Sequence, residues 1–314
     1  MSQRWSRMTE KEKYEFYSKR GLQLKKVEFS DLEAVDKLCR DVHFEVGYHN
    51  LVLYYKVAPE HWHIVLDQNG QILVVDAHNH LSNGICYAYV VTTRESWRGK
   101  GLTGPLTPDF RNMPVMASST EETLKRYNMH GQHWLEKRHG LYGFCTRKTT
   151  EALEVPVVPG VRIERLRPDF MDQLLKYDKQ ISRLERKEFV KEWCLPKDSK
   201  IGDSVVAIDE NTGQCVGYCT ARLFSDYYGI QPLYADSDEI AAALMKAVCK
   251  LCLHDDSFLY MPLMAAKREA LRFCYELGME ITGTEIRNCS PMALAYAKSL
   301  PVEKMYSVHE YYPV

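Results

Sequence analysis

The stretch Tyr89–Gly104, YVVTTRESWRGKGLTG, has the clearest chemical content in the chain. An apolar, β-branched run leads into a loop where Gly99 and Gly101 alternate with Arg98 and Lys100. Glycine has no Cβ, so the backbone can bend sharply and bring several N–H groups up to one anion. A helix beginning just beyond would add its N-terminal amides and dipole. With the two cations alongside, the segment predicts a cradle for a pyrophosphate. The phosphate fingerprint G-x-x-x-x-G-K-[ST] is absent; Gly99-Lys-Gly-Leu-Thr-Gly104 has the spacing G-x-G-x-x-G but is not read as the dinucleotide fingerprint, since Pro108 would interrupt the helix that must follow it.

Other residues offer weaker signals. His61-x-His63 and His78-x-His80 each set two imidazoles on one strand face, which suits a pair of metal ligands. No cysteine or carboxylate completes a recognised ligand spacing around them, so no metal is expected. One of these histidines, or Glu45 or Glu60, could deprotonate a substrate ammonium. Cys249-x-x-Cys252 lies within an apolar helical run, where core packing explains it better than redox or zinc chemistry. Arg183 and Arg186 sit in the charged run SRLERKE and are candidate anchors for an acidic substrate in a cleft between two halves.

These groups need a scaffold, and the pattern of apolar residues supplies one. Leu22–Phe29 alternates as a half-buried strand, and Leu32, Val35, Leu38 and Cys39 recur at helical spacing after Ser30-Asp31. Trp62–Leu66, the turn Asp67–Gly70 and Gln71–Val75 form a hairpin, because Asn69-Gly70 accepts the positive φ of a tight turn. The strand Ile85–Val91 then feeds the glycine loop. Around Glu154–Gly160 two prolines and a glycine forbid a continuing helix. Beyond that point the order repeats. A strand at Val161–Leu166 precedes a helix through Leu174, Leu175 and Tyr177 and another near Arg183–Trp193. A hairpin around Asn211–Gly213, a helix over Asp236–Leu253, a strand at Phe258–Leu263 and a helix over Lys267–Leu277 complete it. The chain therefore reads as a duplicated α/β unit. The expected division is an extension over 1–20, a first domain over 21–155 and a second over 160–314.

Composition narrows the class. The 314 residues are 45% hydrophobic, with 41 Lys+Arg against 42 Asp+Glu, which argues against bulk binding to nucleic acid or anionic membranes. No apolar run is long enough to cross a bilayer, and the charged N-terminal residues do not resemble a secretory signal. Ten scattered cysteines in apolar surroundings suit free thiols in a cytoplasmic protein.

The glycine loop resembles the acetyl-CoA loop of the GNAT superfamily of acetyltransferases, Arg/Gln-x-x-Gly-x-Gly/Ala after an apolar strand. Arg98, Gly101 and Thr103 fall on its three positions, with Thr103 in place of the small residue. Downstream of a strand at Pro114–Ser119, Thr120, Thr123 and Tyr127 occupy the family's Asn-x-x-Ala-x-x-x-Tyr positions. The second half looks like the C-terminal domain of the YitH-like tandem acetyltransferases, through Gly217-Tyr218, Gly229, Pro232-Leu233, Ala235-Asp236, Tyr177-Asp178 and Arg186.

The resemblance implies an α/β fold of two tandem GNAT-like domains, each with a twisted mixed sheet. It implies acetyl-CoA as co-substrate, held by Val90, Val91 and Thr92 of the strand and by Arg98, Gly99, Lys100, Gly101, Leu102 and Thr103 of the loop. It also implies Tyr127 as the acid that protonates the departing thiolate, a role open to a phenol of pKa ~10. The activity implied is N-acetylation of a small-molecule amine by direct transfer, in a monomer or homodimer. Two departures support an alternative, a catalytically weak acyl-CoA-binding protein: the bulk of Thr103, and Pro108, which would interrupt the helix after the loop. A metal-dependent hydrolase using the histidine-rich first half is the other alternative. The second half has no such loop and places Cys274 where the acid would stand, so it is not expected to bind acetyl-CoA in the usual way.

Overall fold

The computed structural model describes residues 8–44, 46–107, 112–121, 123, 133–252 and 257–308. Thr9 opens the first helix, α1 (Glu10–Ser18), through a capping box with Glu12. After β1 (Gln23–Lys26) comes α2 (Leu32–Asp41), whose Leu32, Val35, Leu38 and Cys39 are all buried, as their spacing predicts. The next helix, α3 (Tyr48–Val57), is not expected from the sequence. Its residues YHNLVLYYKV are apolar on most sides and carry no clean stripe.

The hairpin of β2 (Trp62–Leu66) and β3 (Ile72–His80) turns where expected. Asp67 Oδ1 accepts from the amides of Asn69 (2.9 Å) and Gln71 (2.8 Å), and Gly70 takes a φ of +77°. β4 (Cys86–Thr93), β5 (Val115–Thr120), β6 (His133–Cys145) and α4 (Arg147–Ala152) complete the first half. Residues 153–158, the proline-rich stretch, form neither helix nor strand.

The second half runs β7 (Val161–Arg165), α5 (Met171–Ser182), α6 (Lys187–Cys194), β8 (Gly202–Asp209), β9 (Cys215–Leu223) and β10 (Tyr228–Ala235). It continues with α7 (Asp238–Cys252), β11 (Ser257–Met264), α8 (Arg268–Glu276), β12 (Glu280–Cys289), α9 (Leu294–Ser299) and β13 (Met305–Ser307). The described strands join in one 13-stranded mixed sheet, ordered β1-β2-β3-β4-β5-β12-β6-β11-β13-β10-β9-β8-β7.

That order contains an exchange. β12, from the second half, lies antiparallel between β5 and β6, while β6, from the first half, lies antiparallel between β12 and β11. Each half thus completes its sheet with the other's strand. Gly143 allows the crossing, since a Cβ there would stand 2.5 Å from the Gly278 carbonyl oxygen. Across the β6–β12 seam Arg138 faces Glu285 and donates to it at 2.7 Å, and Arg287 lies 3.5 Å from Glu136. Both arginines are buried.

The core follows the same logic. One apolar cluster gathers buried residues of α2, α3, α5 and α6 over a face that spans both halves. Tyr54 of α3 stacks on Phe189 and Trp193 of α6, with centroids 6.1 and 5.9 Å apart. Another cluster lies under α7 and α8.

Candidate functional site

The site begins with a break in the sheet. β4 and β5 pair in parallel over three residues only, ending at Ala88 opposite Ala117. The next residue of β4, Tyr89, is a bulge: Ala77 of β3 pairs with Val90, yet His78 pairs with Ala88. A bulge bends its strand and increases the local twist, so it accounts for the end of β4–β5 pairing at this point. Packing holds the bulge in place. Tyr89 Oη accepts from Trp62 Nε1 at 2.8 Å, and its ring meets that of Tyr54 edge-on.

Beyond the bulge β4 keeps β3 on one side and, among the described residues, has no strand on the other. The Arg94 amide donates to the Leu73 carbonyl at 2.8 Å. By the alternation of an antiparallel ladder, the main-chain groups of Val90 and Thr92 therefore face β3, whereas those of Val91 and Thr93 face the open side. Of the three strand residues singled out in the sequence, Val91 is the one whose peptide groups a ligand can reach there.

The glycine loop follows. Gly99 and Gly101 adopt φ of +76° and +71°, with open space where a Cβ would stand. No acceptor among the described residues reaches any backbone N–H from Gly99 to Gly104. Leu102 anchors the run: its side chain is buried with Leu106 beside Tyr17, Leu24 and Val74, and its carbonyl accepts from Tyr17 Oη at 2.5 Å. Nothing in the residue pattern of α1 marks it for this task. Arg98 Nε donates to the Thr93 carbonyl at 3.2 Å, and its Nη1 lies 3.3 Å from Glu95, so the guanidinium is held beside the loop while half exposed. Lys100 Nζ rests 4.1 Å from the centre of the Trp97 ring. Beyond Gly104 the chain makes one turn, closed by the Leu106 and Thr107 amides on the Thr103 carbonyl. Pro108, Glu45 and Tyr127 lie outside the described residues.

The arginines of the second half require a correction. Arg186 is buried, and its Nε and Nη2 donate to Asp178 at 2.9 and 2.6 Å. Tyr218 Oη donates to the same carboxylate at 2.6 Å. The charge of Arg186 is thus matched internally, and its guanidinium is a structural element rather than an open anion site. Arg183 is exposed and ends α5 with a left-handed φ of +58°. Neighbouring motif residues are tied together likewise, since Tyr177 Oη donates to Asp236 at 2.9 Å.

The second half has its own parallel junction, between β10 and β11 at Tyr228 and Gly229. Here the gap is filled. β13 pairs with β10 through Leu233 and Tyr234 and with β11 through Leu263. A groove of about 610 Å³ between the halves is lined by Lys56, Lys191, Glu192 and Arg222 among others, but by no residue of β4 or the glycine loop. Cys274 is buried within the core, and burial pushes its thiol up to about 12, as it does Cys194. Neither is placed to act as a nucleophile at neutral pH.

Comparison with known proteins agrees with this geometry. Residues 174–307 match the family model described as an acetyltransferase (GNAT) domain. No curated protein matches the sequence. Among solved structures, a putative acetyltransferase from Pyrococcus horikoshii is similar at a TM-score of 0.67 and 12% identity, over 94% of this chain and 96% of that one. A tandem GNAT protein from the clavulanic acid biosynthesis pathway gives 0.57 and 10%, over 85% and 98%. Saccharomyces cerevisiae N-myristoyltransferase with bound myristoyl-CoA gives 0.56 and 12%, over 86% and 82%. At such identities the likeness is one of fold.

Proposed function

Starting from a second half that is a GNAT acetyltransferase domain and a whole chain with the fold of tandem GNAT proteins, we propose that the first half carries out acyl transfer from acyl-CoA, acetyl-CoA being the expected donor, to the amine of a small molecule. The observation that carries this reading is the run of backbone N–H groups from Gly99 to Gly104, which have no acceptor among the described residues and follow directly on a strand splayed from its neighbour. The fit is chemical as well as spatial. A diphosphate needs several donors and nearby positive charge, and the loop supplies both.

Acyl-CoA supplies a thioester whose carbonyl carbon a neutral amine can attack. The contribution of this chain is positional. The loop amides, with Arg98 and Lys100, hold the diphosphate. The main-chain groups of Val91 and the Thr93 N–H are available to the amide-bearing arm, which would enter the gap as a further strand-like partner. Preorganised donors at the open edge of β4 would steady negative charge on the carbonyl oxygen. Tyr127 is the proposed donor of the proton that the leaving thiolate takes up. The second half contributes structure, because β13 occupies the equivalent gap.

Thermal-shift measurements with CoA and acetyl-CoA, followed by an amine panel read by thiol release, test the proposal. Arg98→Glu sets an anion against the diphosphate and should abolish the CoA-induced shift. Tyr127→Phe should keep the shift and cut turnover by about 10²-fold or more. Undiminished CoA binding by Arg98→Glu would show the loop assignment to be wrong.

A further inference from the structure

The histidines of the first half, read in the sequence as two separate i, i+2 pairs, are regrouped by the fold. β3 carries His78 and His80 on one face, and His61 stands one step beyond the Trp62–Ala77 pair, across from His78. Nitrogen atoms from these three rings lie within 4.8 Å of one another. Their ring centroids are 4.3 to 5.7 Å apart. A Zn²⁺ ion with Zn–N bonds of about 2.0 Å needs its nitrogens about 3.3 Å apart, so small side-chain rotations would bring the three onto one ion.

A second observation points the same way. Asp76, with no exposed surface, sets Oδ1 3.3 Å from His78 Nδ1, while its buried Oδ2 has no partner among the described residues. Glu60 lies 3.3 Å from His61 Nε2. A carboxylate that takes the proton-bearing nitrogen of an imidazole leaves a lone pair on the other nitrogen, the form a metal requires. His63, two residues from His61, is not a member: it is buried, and it lies outside the three-histidine group.

We propose that His61, His78 and His80 form a binding site for a divalent transition-metal ion, Zn²⁺ by preference, with water in the fourth position. Neutral imidazoles suit such ions and not Mg²⁺ or Ca²⁺, which take oxygen ligands. The site joins the entry to β2 with the end of β3. His78 and His80 pair with Ala88 and Cys86 of β4, the residues just before the Tyr89 bulge. A bound ion would therefore stiffen the root of the gap between β4 and β5. This inference is independent of the acyl-transfer reading.

The test uses the full chain without a histidine tag, stripped with chelator, dialysed against Zn²⁺ and assayed for retained metal, with Co²⁺ as the spectroscopic probe. The expected result is one ion per chain and the visible absorption of tetrahedral Co²⁺. His61→Asn and His80→Asn should each weaken binding by at least about tenfold, while His63→Asn should leave it unchanged. Circular dichroism checks that each variant is folded, and the exposed His80 carries the test should His61→Asn fail to fold. No retained ion in the wild-type chain, or full retention in any folded ligand variant, would overturn the assignment.

Discussion

At the scale of single residues, the loop works through what is missing from it. Gly101 has a φ of +71° and no atom within 4 Å of a notional Cβ, so space alone would admit a side chain. The backbone would not. A β-branched residue held in the left-handed region costs about 1–3 kcal/mol, and relief of that strain would turn the neighbouring amides away. Gly101→Val should therefore weaken CoA binding by about tenfold or more in isothermal titration while leaving the cooperative melt nearly in place. A variant that binds as well as wild type would separate the loop from the ligand. The bend at Gly99 and Gly101 was legible in the sequence because a glycine's conformational freedom is local. Arg186 was misread for the complementary reason. Its partner Asp178 is 8 positions away, Tyr218, which shares that carboxylate, is 32 away, and only the fold makes the arginine internal. Removing one member of such a buried ion pair typically costs 3–5 kcal/mol.

Elements of secondary structure show where sequence patterns suffice and where they stop. Stripes and turns announced α2, the two hairpins, α5, α7 and the strand entering the loop, since amphipathic spacing and turn chemistry are written within a few residues. α3 escaped because it is apolar almost throughout. β6 and β12 escaped because both carry buried charges, Arg138 and Arg287, in place of a simple alternation. Those charges make sense only across the seam that pairs them with Glu285 and Glu136. α1 was visible as a polar extension, but its role was not. Tyr17 reaches 85 positions along the chain to the Leu102 carbonyl, and burial pushes its phenol well above the usual range, so it stays protonated and donates. Tyr17→Phe removes that hydrogen bond and retains the ring. The expected outcome is a loss of about 1 kcal/mol in stability with a larger fractional loss in CoA affinity, read by urea denaturation beside titration. Equal affinity would mean that α1 does not brace the loop.

For the molecule as a whole, the decisive feature is the strand exchange. A linear reading cuts the chain near residues 155–160, and a fragment ending there keeps β5 and β6 but loses β12, which separates them. β5 would lose its outer neighbour, and β6 would lose both of its neighbours, β12 and β11, a setting that favours aggregation. Residues 1–155 expressed alone should be insoluble or oligomeric by size-exclusion chromatography, and co-expression with residues 160–314 should restore a soluble pair. A monomeric, cooperatively melting 1–155 fragment would count against this view. The exchange also sets a timetable for synthesis. On the ribosome the N-terminal half cannot close its sheet when its own last strand emerges. It must wait, edge open, until residue 289 has been made, so this chain should depend more on holding chaperones during translation than its two-part sequence suggests.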